Sequence, residues 1–263
     1  MSTGISVLFL VLSACHKEVS PLNLKALETE IHHLTNALRE ERQLEPLAPL
    51  EILDTIARKH SQDMADRDFF EHINPEGLAP HDRLLAGLPN AINSYAGENL
   101  AQHSQEGLDS SALAAELMRL WIASPDHLTQ LVAPEFRQLG VGVFQDEVGV
   151  VYATQTFANL VVQLDQTLPA HVSTQTPLHL SFTFLGSFPR QELTAFLHTN
   201  NGFSRIEGPN GVFYKGKGPV PIHWIDETHF EVRIPTELGV GRYRLRLGQN
   251  ERFFEKDFTV DVS

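Results

Sequence analysis

The stretch Trp121-Ile122-Ala123-Ser124-Pro125-Asp126-His127 ends one helical pattern and begins another. Upstream of it, apolar residues at helical spacing predict a helix over about 110–123. Serine is a favoured N-cap and proline is favoured at the first helical position, so a new helix is predicted to begin at Ser124. This junction places His127 in the first turn of the second helix, where the positive helix end favours a neutral imidazole.

Two further helices and a β-hairpin surround this junction in the sequence. The predicted elements are helices over 24–38 and 50–66 and β runs over 139–144 and 148–157. Residues 67–109 carry repeated prolines and glycines and are predicted to be irregular. Helices packed on a small antiparallel sheet predict an α+β domain with α/β/α sandwich architecture over residues 23–159.

The pattern changes after residue 160, where no helical period remains. Apolar and polar residues alternate in short segments such as 178–184. Turn signals at 200–202 and 209–211 separate these segments. About seven short strands in roughly 100 residues predict an all-β immunoglobulin-like sandwich over residues 160–263.

Composition and charge set limits on the function. The chain has 263 residues, of which 42% are apolar and 20% charged, as in an ordinary globular protein. The net charge of −13 argues against nucleic acid as the main partner. Residues 1–160 carry 22 acidic and 10 basic residues, whereas residues 161–263 carry 11 and 10, which supports two domains. A single cysteine excludes an intramolecular disulfide and a cysteine-based zinc site.

The N-terminus resembles a bacterial lipoprotein signal peptide. An apolar run over 5–12 leads into Leu12-Ser13-Ala14-Cys15, with small residues before the only cysteine. The resemblance implies a signal peptide over residues 1–15, a lipidated Cys15 and a tether over residues 16–22. Several acyl chains anchor a protein stably in a membrane, here the outer membrane where the cell has one. An ordinary signal peptide with an incidental cysteine is the alternative.

Six stretches between residues 59 and 157 combine ionisable, glycine and aromatic residues. They are Lys59-His60-Ser61-Gln62-Asp63-Met64, Phe69-Phe70-Glu71-His72 with Pro75-Glu76-Gly77, Gly97-Glu98-Asn99-Leu100-Ala101, Trp121 with Ser124-Pro125-Asp126-His127, Leu139-Gly140-Val141-Gly142-Val143, and Tyr152-Ala153-Thr154-Gln155-Thr156-Phe157. In this order they resemble the bacterial branch of the CAP superfamily, also called the SCP domain, which comprises cysteine-rich secretory proteins, antigen 5 and pathogenesis-related 1 proteins. The resemblance covers about residues 28–159.

The resemblance implies an α/β/α sandwich with a central cleft lined by two histidines and two acidic residues. His72 matches the first histidine, Glu98 the glutamate of Gly-Glu-Asn, and His127 the second histidine. The remaining acidic position falls on Ser124, a replacement often seen in the bacterial branch. The candidate cleft residues are therefore His72, Glu98, His127 and Ser124.

Two imidazoles and one carboxylate can serve as a metal site. Zn²⁺ accepts histidine nitrogen and glutamate oxygen, and three protein ligands leave a position open for water or substrate. The candidate metal ligands are His72, Glu98 and His127, with zinc or another divalent metal as the candidate cofactor. No His-Glu-x-x-His motif is present, so the spacing alone does not identify a zinc enzyme.

Three functions remain open from the sequence. The first is a lipid-anchored, extracytoplasmic envelope protein whose cleft binds a lipid, glycan or peptide of envelope or host origin. The second is an envelope hydrolase, metal-assisted or serine-type, that uses His72, Glu98 and His127. The third is a structural interaction module with a vestigial cleft. A serine oxygen within about 3.2 Å of a cleft histidine favours hydrolysis, whereas converging groups without a nucleophile favour binding.

Other polar residues are expected to have structural roles. His60 falls on an apolar helical stripe and is expected to be a hydrogen-bonded core residue. Ser61 is expected on the polar side of its helix, and Ser124 is expected to accept a backbone N–H as an N-cap. Asn99 is expected to bond to backbone. The alternating arginines of residues 242–246 are expected on a solvated strand face.

Overall fold

A computed structural model describes residues 22–105, 107–209, 211–250 and 252–263 of the chain. The predicted signal peptide, the lipidated Cys15 and the tether up to residue 21 lie outside the described residues. Among the helices that are described, none is long and apolar enough to cross a membrane.

The described part of the N-terminal half contains five α-helices. They are α1 (Leu24–Glu41), α2 (Glu51–Arg67), α3 (Pro80–Gly87), α4 (Ser110–Ala123) and α5 (Pro125–Val132). The side chains of Asn23 and Asp109 accept backbone N–H groups at the starts of α1 and α4, as capping rules require. α5 begins directly after Ser124, so the predicted helix at this junction is confirmed.

Three sheets contain the strands of the described residues. The strands are β1 (Ala48–Pro49), β2 (Ala91–Ser104), β3 (Gln138–Gln145), β4 (Val150–Leu164), β5 (His171–Val172), β6 (Leu178–Phe184), β7 (Leu193–Thr199), β8 (Arg205–Glu207), β9 (Phe213–Lys215), β10 (Lys217–Val220), β11 (Ile222–Trp224), β12 (His229–Ile234), β13 (Gly241–Gln249) and β14 (Arg252–Val262). A seven-stranded sheet has the order β1-β3-β4-β6-β12-β11, with β2 also paired to β4. A five-stranded sheet has the order β10-β7-β13-β14-β5, and β8 pairs with β9.

The N-terminal part of the seven-stranded sheet is covered by helices on both faces. Along β4, Val151, Ala153 and Phe157 pack with residues of α1, α4 and α5. Ala158 and Leu160 pack instead with residues of α2 and α3. Because successive side chains of a strand point to opposite faces, β4 is buried on both sides. The predicted α/β/α architecture is therefore confirmed.

Two glycines allow α2 to pack directly on β3. A Cβ at Gly140 would overlap the backbone of Leu53, and a Cβ at Gly142 would overlap the backbone of Arg58. Both distances would be well under 3.0 Å, which is shorter than the contacts that Cβ atoms make in proteins. These glycines therefore set the close approach of the helix to the sheet.

The segment 67–109 is not irregular as predicted, because it contains α3 and the whole of β2. β2 pairs antiparallel with β4 from Ala91 opposite Gln163 to Ser104 opposite Val150. Asparagine, glycine and alanine are weak strand formers, so the sequence signal of β2 is faint. Pairing with the buried strand β4 outweighs this weak local preference.

One strand crosses the predicted domain boundary between residues 159 and 160. The last residues of β4, Val162–Leu164, pair with Phe182–Phe184 of β6. The sheet of the helical half therefore continues into the strand-rich half. Lys256 on β14 adds a second connection, because its Nζ donates to the backbone oxygen of Ala91 on β2 at 3.0 Å.

Two sheets enclose an apolar core in the C-terminal half. Phe182 and Phe230 from the seven-stranded sheet share this core with Leu197, Leu245 and Phe258 from the five-stranded sheet. The ring centroids of Phe182 and Phe258, one from each sheet, are 5.1 Å apart. The strand-rich C-terminal half is confirmed, whereas its immunoglobulin-like topology stays a prediction.

The arginines of β13 face acidic residues on the neighbouring strand β14. Nε of Arg242 lies 2.9 Å from a carboxylate oxygen of Asp261. Arg244 and Arg246 both pair with Asp257, each with an N–O distance of 3.2 Å. The three arginines remain exposed, so the prediction of a solvated strand face is confirmed.

Candidate functional site

A buried carboxylate and a half-exposed imidazole form the centre of the candidate site. Glu98 lies on β2 with its side chain 3% exposed, and Nδ1 of His72 lies 2.9 Å from its Oε1. A carboxylate only accepts hydrogen bonds, so Nδ1 of His72 carries the proton and donates it. The His72 side chain is 49% exposed, so the ring is accessible to a ligand. The structure thus brings together two of the predicted cleft residues.

Arg83 of α3 holds the other oxygen of this carboxylate. Its Nη2 donates to Oε2 of Glu98 at 2.6 Å, and its Nη1 donates to the backbone oxygens of His72 and Leu78, each at 2.8 Å. One guanidinium can make these bonds together because its donors form a rigid fork. Arg83 therefore fixes both Glu98 and the loop that carries His72. Arg83 could not be predicted from the sequence, because it belongs to no motif and α3 is not among the predicted helices.

His60 of α2 packs against the same carboxylate from the protein interior. Its Nε2 donates to the backbone oxygen of Glu71 at 3.1 Å and lies 3.8 Å from Oε1 of Glu98. Burial lowers the pKa of His60, although the charge of Glu98 acts in the opposite direction. The prediction of a hydrogen-bonded core histidine is confirmed. The structure adds that His60 belongs to the cluster around Glu98.

His127 lies in the first turn of α5, as predicted. Burial lowers the pKa of His127, and its electrostatic interaction with His72 acts in the same direction. Nδ2 of Asn99 donates to the backbone oxygen of His127 and to Oε1 of Gln155, each at 3.1 Å. These bonds tie the first turn of α5 to β2 and β4. The predicted backbone bond of Asn99 is confirmed.

The two serines of the motifs offer no nucleophile to the histidines of the site. Ser124 starts α5, but its side chain makes no capping hydrogen bond, which corrects the expected N-cap contact; the same residue also ends α4. Ser61 is buried and does not lie on a polar helix side, since its Oγ donates to the backbone oxygen of Gly142 at 2.9 Å. Among the hydrogen bonds of the described residues, none joins a serine oxygen to a histidine of this site.

The residues predicted as metal ligands do not fit a metal ion in this arrangement. In the described part of the chain, no group of three or more histidine, cysteine, aspartate and glutamate side chains is placed to hold one. The physical reason lies at Glu98, whose Oε1 accepts from His72 and whose Oε2 accepts from Arg83. Both carboxylate oxygens are therefore engaged with donors. The prediction of a divalent metal at His72, Glu98 and His127 is not supported by this geometry.

Exposed apolar side chains lie on the same loop as His72. Phe70, Ile73 and Leu78 are all exposed. The loop is closed at Leu78, whose backbone N–H donates to Oδ1 of Asn74 at 2.9 Å and whose backbone oxygen accepts from the Asn74 N–H at 3.2 Å. The site therefore combines a polar centre with an apolar edge.

Comparison with known proteins agrees with the architecture of the N-terminal half. Residues 32–157 match the family described as CAP, the cysteine-rich secretory protein family. The chain is 33% identical over 126 residues to the uncharacterized protein YkwD of Bacillus subtilis, which covers 47% of this chain and 44% of that protein. It is 29% identical over 130 residues to the uncharacterized membrane protein YlbC of the same organism, which covers 49% of this chain and 34% of that protein. The chain thus spans less than half the length of these curated relatives.

Solved structures also resemble this half of the chain. An extracellular protein containing a SCP domain from Bacillus anthracis is 31% identical, with a TM-score of 0.44, over 53% of this chain and 44% of that one. An outer surface protein from Borrelia burgdorferi is 15% identical, with a TM-score of 0.46, over 52% of this chain and 95% of that one.

Proposed function

We propose that the chain, whose residues 32–157 match the CAP family, is an extracytoplasmic binding protein of the bacterial cell envelope and that its site around His72 and Glu98 binds a lipid. The observation that carries this proposal is an oriented, half-exposed imidazole on the same loop as three exposed apolar side chains. An amphipathic ligand needs both surfaces, because its head group requires hydrogen bonds and its chain requires apolar contact. A glycan and a peptide are the other ligand classes that the experiment below separates.

The polar part of the site suits a head group with hydroxyl groups. Glu98 accepts a hydrogen bond from Nδ1 of His72, which orients the ring and leaves Nε2 to contact a hydroxyl group. The lowered pKa of His127 keeps a second ring neutral at neutral pH. The terminal nitrogens of Arg83 are engaged with Glu98 and with backbone oxygens, so this cation is not free to hold a phosphate. Hydroxyl groups therefore match the polar contacts better than an anion does.

The apolar part of the site suits the hydrocarbon chain of such a ligand. Single exposed apolar residues are ordinary on protein surfaces, but Phe70, Ile73 and Leu78 share one short loop beside the polar centre. Fully burying one side chain of this size contributes roughly 1.5–3 kcal/mol. Contact of a lipid chain with even one of these residues therefore makes a measurable contribution to binding.

Membrane attachment belongs to the same proposal and rests on Cys15. The acyl chains on its thiol hold the protein on the outer side of the membrane, in the outer membrane where the cell has one. In the experiment, Cys15→Ser moves the full chain from the membrane pellet to the soluble fraction of lysed cells. A mutant chain that stays in the pellet contradicts anchoring through this residue.

Hydrolysis is the second candidate function, and the His72–Glu98 pair is the observation that favours it. A base oriented by a carboxylate at 2.9 Å is half of a hydrolytic site. The other half is a nucleophile, and the serines of the motifs do not supply one in the described residues. Turnover of a simple ester that is lost in His72→Gln would support hydrolysis over binding.

The binding experiment uses the full chain carrying Cys15→Ser and a fluorescent monoacylglycerol below its micelle concentration. The unmodified site is expected to bind this probe saturably. His72→Gln and Ile73→Ser are each expected to weaken binding about tenfold, because one loses the oriented acceptor and the other an apolar contact. Val148→Ser is the matched control, since Val148 is an exposed apolar residue in the turn between β3 and β4.

The controls decide between the ligand classes. Unchanged binding in Val148→Ser together with weaker binding in Ile73→Ser supports the lipid site. Absence of saturable binding, or equal weakening in both variants, contradicts it. Competition by a soluble glycan or peptide without an acyl chain would assign the cleft to that ligand class instead.

A further inference from the structure

A second surface, separate from the His72 site, lies where the two halves of the chain meet. We infer that this groove binds a neutral oligosaccharide. It is a cavity of about 1020 Å³ lined by residues of β2 and β4 on one side and of β13 and β14 on the other. A groove of this size accommodates a ligand of several sugar rings. The inference is independent of the lipid proposed for the His72 site, because the two surfaces share no residue.

The walls of the groove are held in place by backbone pairing and by a lysine. Tyr95 on β2 is in register with Asn159 on β4, and Gln249 on β13 is in register with Arg252 on β14. Lys256 on β14 donates to the backbone oxygens of Pro89 and Ala91, just before and at the start of β2. The two walls therefore keep a fixed spacing, and a ligand finds the groove already formed.

Two exposed aromatic rings, one from each half of the chain, line this groove. The Tyr95 residue is 53% exposed and the Phe253 residue is 40% exposed. The Phe253 ring contacts the ring of Phe196, with centroids 5.4 Å apart, and the guanidinium of Arg246 lies 4.8 Å from its centroid. Aromatic faces carry partial negative charge and large apolar area, so they stack well against the C–H faces of pyranose rings.

Side-chain amides supply the hydrogen bonds that sugar hydroxyls require. The NH₂ groups of Gln249 and Asn250 both donate to Oε2 of Glu192, at 2.7 Å and 3.3 Å. These bonds orient the two amides and leave their carbonyl oxygens, which have no donor among the described residues, to accept from hydroxyl groups. The groove thus offers stacking platforms and oriented acceptors together.

The described lining of the groove lacks the cluster of cations that a polyanionic glycan would need. Of the described residues that line the groove, Arg252 is the one with a charged side chain, and it forms no ion pair with another described residue. The chain as a whole carries a net charge of −13, which repels polyanionic glycans. A guanidinium donates to hydroxyl oxygens as readily as to amide oxygens, so Arg252 needs no acidic ligand.

Titration calorimetry of the full chain with two neutral probes, chitotetraose and cellotetraose, tests this inference. Saturable binding of either probe is expected. Tyr95→Ala is expected to weaken that binding about tenfold, whereas Tyr95→Phe, which keeps the ring, is expected to bind nearly as the unmodified chain does. Phe203→Ala is the matched control, because Phe203 is 86% exposed and does not line the groove.

Three outcomes overturn the inference. The first is that neither neutral tetrasaccharide binds saturably. The second is that the acidic probe tetragalacturonate binds more tightly than both neutral probes. The third is that Phe203→Ala weakens binding as much as Tyr95→Ala does. His72→Gln separates the two sites, since it is expected to leave oligosaccharide binding unchanged. Unchanged melting temperatures of the variants show that a loss of binding is not a loss of fold.

Discussion

Arg83 donates to Oε2 of Glu98 at 2.6 Å across 15 residues of sequence. Both side chains are largely shielded from water, and Glu98 is the deeper of the two. Burying such a pair costs hydration of both charges, so the pair as a whole contributes less than its short distance suggests. Loss of one partner is different, because the other charge stays buried without compensation. The site and the stability of the domain therefore depend on the same contact.

Glu98→Ala is predicted to lower the free energy of unfolding by about 3–5 kcal/mol, because Arg83 is left as an unpaired buried charge. Urea unfolding followed by circular dichroism measures this change. Glu116→Ala is the control, since Glu116 pairs with Arg119 on the exposed surface of α4 and its removal should change stability little. Equal losses in both variants would contradict the structural role of Glu98.

Arg39→Ala is predicted to be strongly destabilising for a different reason. Arg39 is buried and donates to the backbone oxygens of Glu45, Leu131 and Ala133, each at 2.9 Å. Two of these oxygens belong to the end of α5 and the residue after it, where helix carbonyls lack partners. Leaving three buried carbonyls unpaired should cost more than about 3 kcal/mol, measurable by urea unfolding.

Arg42→Ala is the matched control for Arg39. Arg42 lies one turn further along the chain, is exposed, and makes one long backbone contact, from Nη1 to the oxygen of Leu38 at 3.2 Å. Its removal should change the free energy of unfolding little. A loss comparable to that of Arg39→Ala would show that charge, not burial, explains the effect.

Gly142→Ala is predicted to lower stability by about 3 kcal/mol or more, because the added Cβ would overlap the backbone of α2 at Arg58. Thermal melting measures the effect. Gly202→Ala is the control, because a Cβ at Gly202 meets no atom within 4 Å. A Gly142→Ala chain that melts like the Gly202→Ala chain would contradict the close packing of α2 on β3.

Stability is predicted to fall as the pH drops below 6.5, the ordinary pKa of histidine. Burial lowers the pKa of His60 in the folded chain, so the unfolded chain binds a proton first. Below pH 6.5 the His60 imidazole is therefore protonated in the unfolded chain but not in the folded chain. This difference lowers the free energy of unfolding until the pH reaches the lower pKa of His60 in the folded chain. His127, whose pKa is also lowered by burial, contributes with the same sign.

Unfolding free energies at about pH 7.5 and about pH 5.5 measure this dependence. His60→Gln is expected to reduce the difference between the two values, because glutamine does not titrate but can still donate to the oxygen of Glu71. Exposed His33 supplies the control, and His33→Gln should retain the full difference. A His60→Gln chain with the unmodified pH dependence would assign the effect to other groups.

Part of the fold could be read from local patterns. Apolar spacing indicates α1, α2 and α4, and the Ser124-Pro125 pair indicates the start of α5. The strand β4 is rich in the β-branched and aromatic residues that strands favour. β2 could not be predicted in this way, because its residues are weak strand formers and its order comes from pairing with β4. Local preference is a poor guide where a neighbouring strand supplies the stabilisation.

The site shows the same limit at the level of single residues. Motif order predicted His72 and Glu98, which the structure places 2.9 Å apart. It gave no indication that Arg83 would occupy the second carboxylate oxygen or that His60 would lie against the first. These contacts join three elements that are separate in sequence, so they exist only once the chain has folded. The predicted metal ligands show the same limit, because both oxygens of Glu98 accept hydrogen bonds, one from His72 and one from Arg83.

The passage of β4 from one half of the chain into the other has a mechanical consequence. Cleavage of the chain at residue 160 would not give two independent domains, because it would divide β4. Each fragment would then contain part of this strand, with unpaired backbone groups at its edge. Rotation of one half against the other would have to break these strand pairs, so ligands bound one on each half would be held at a nearly constant distance.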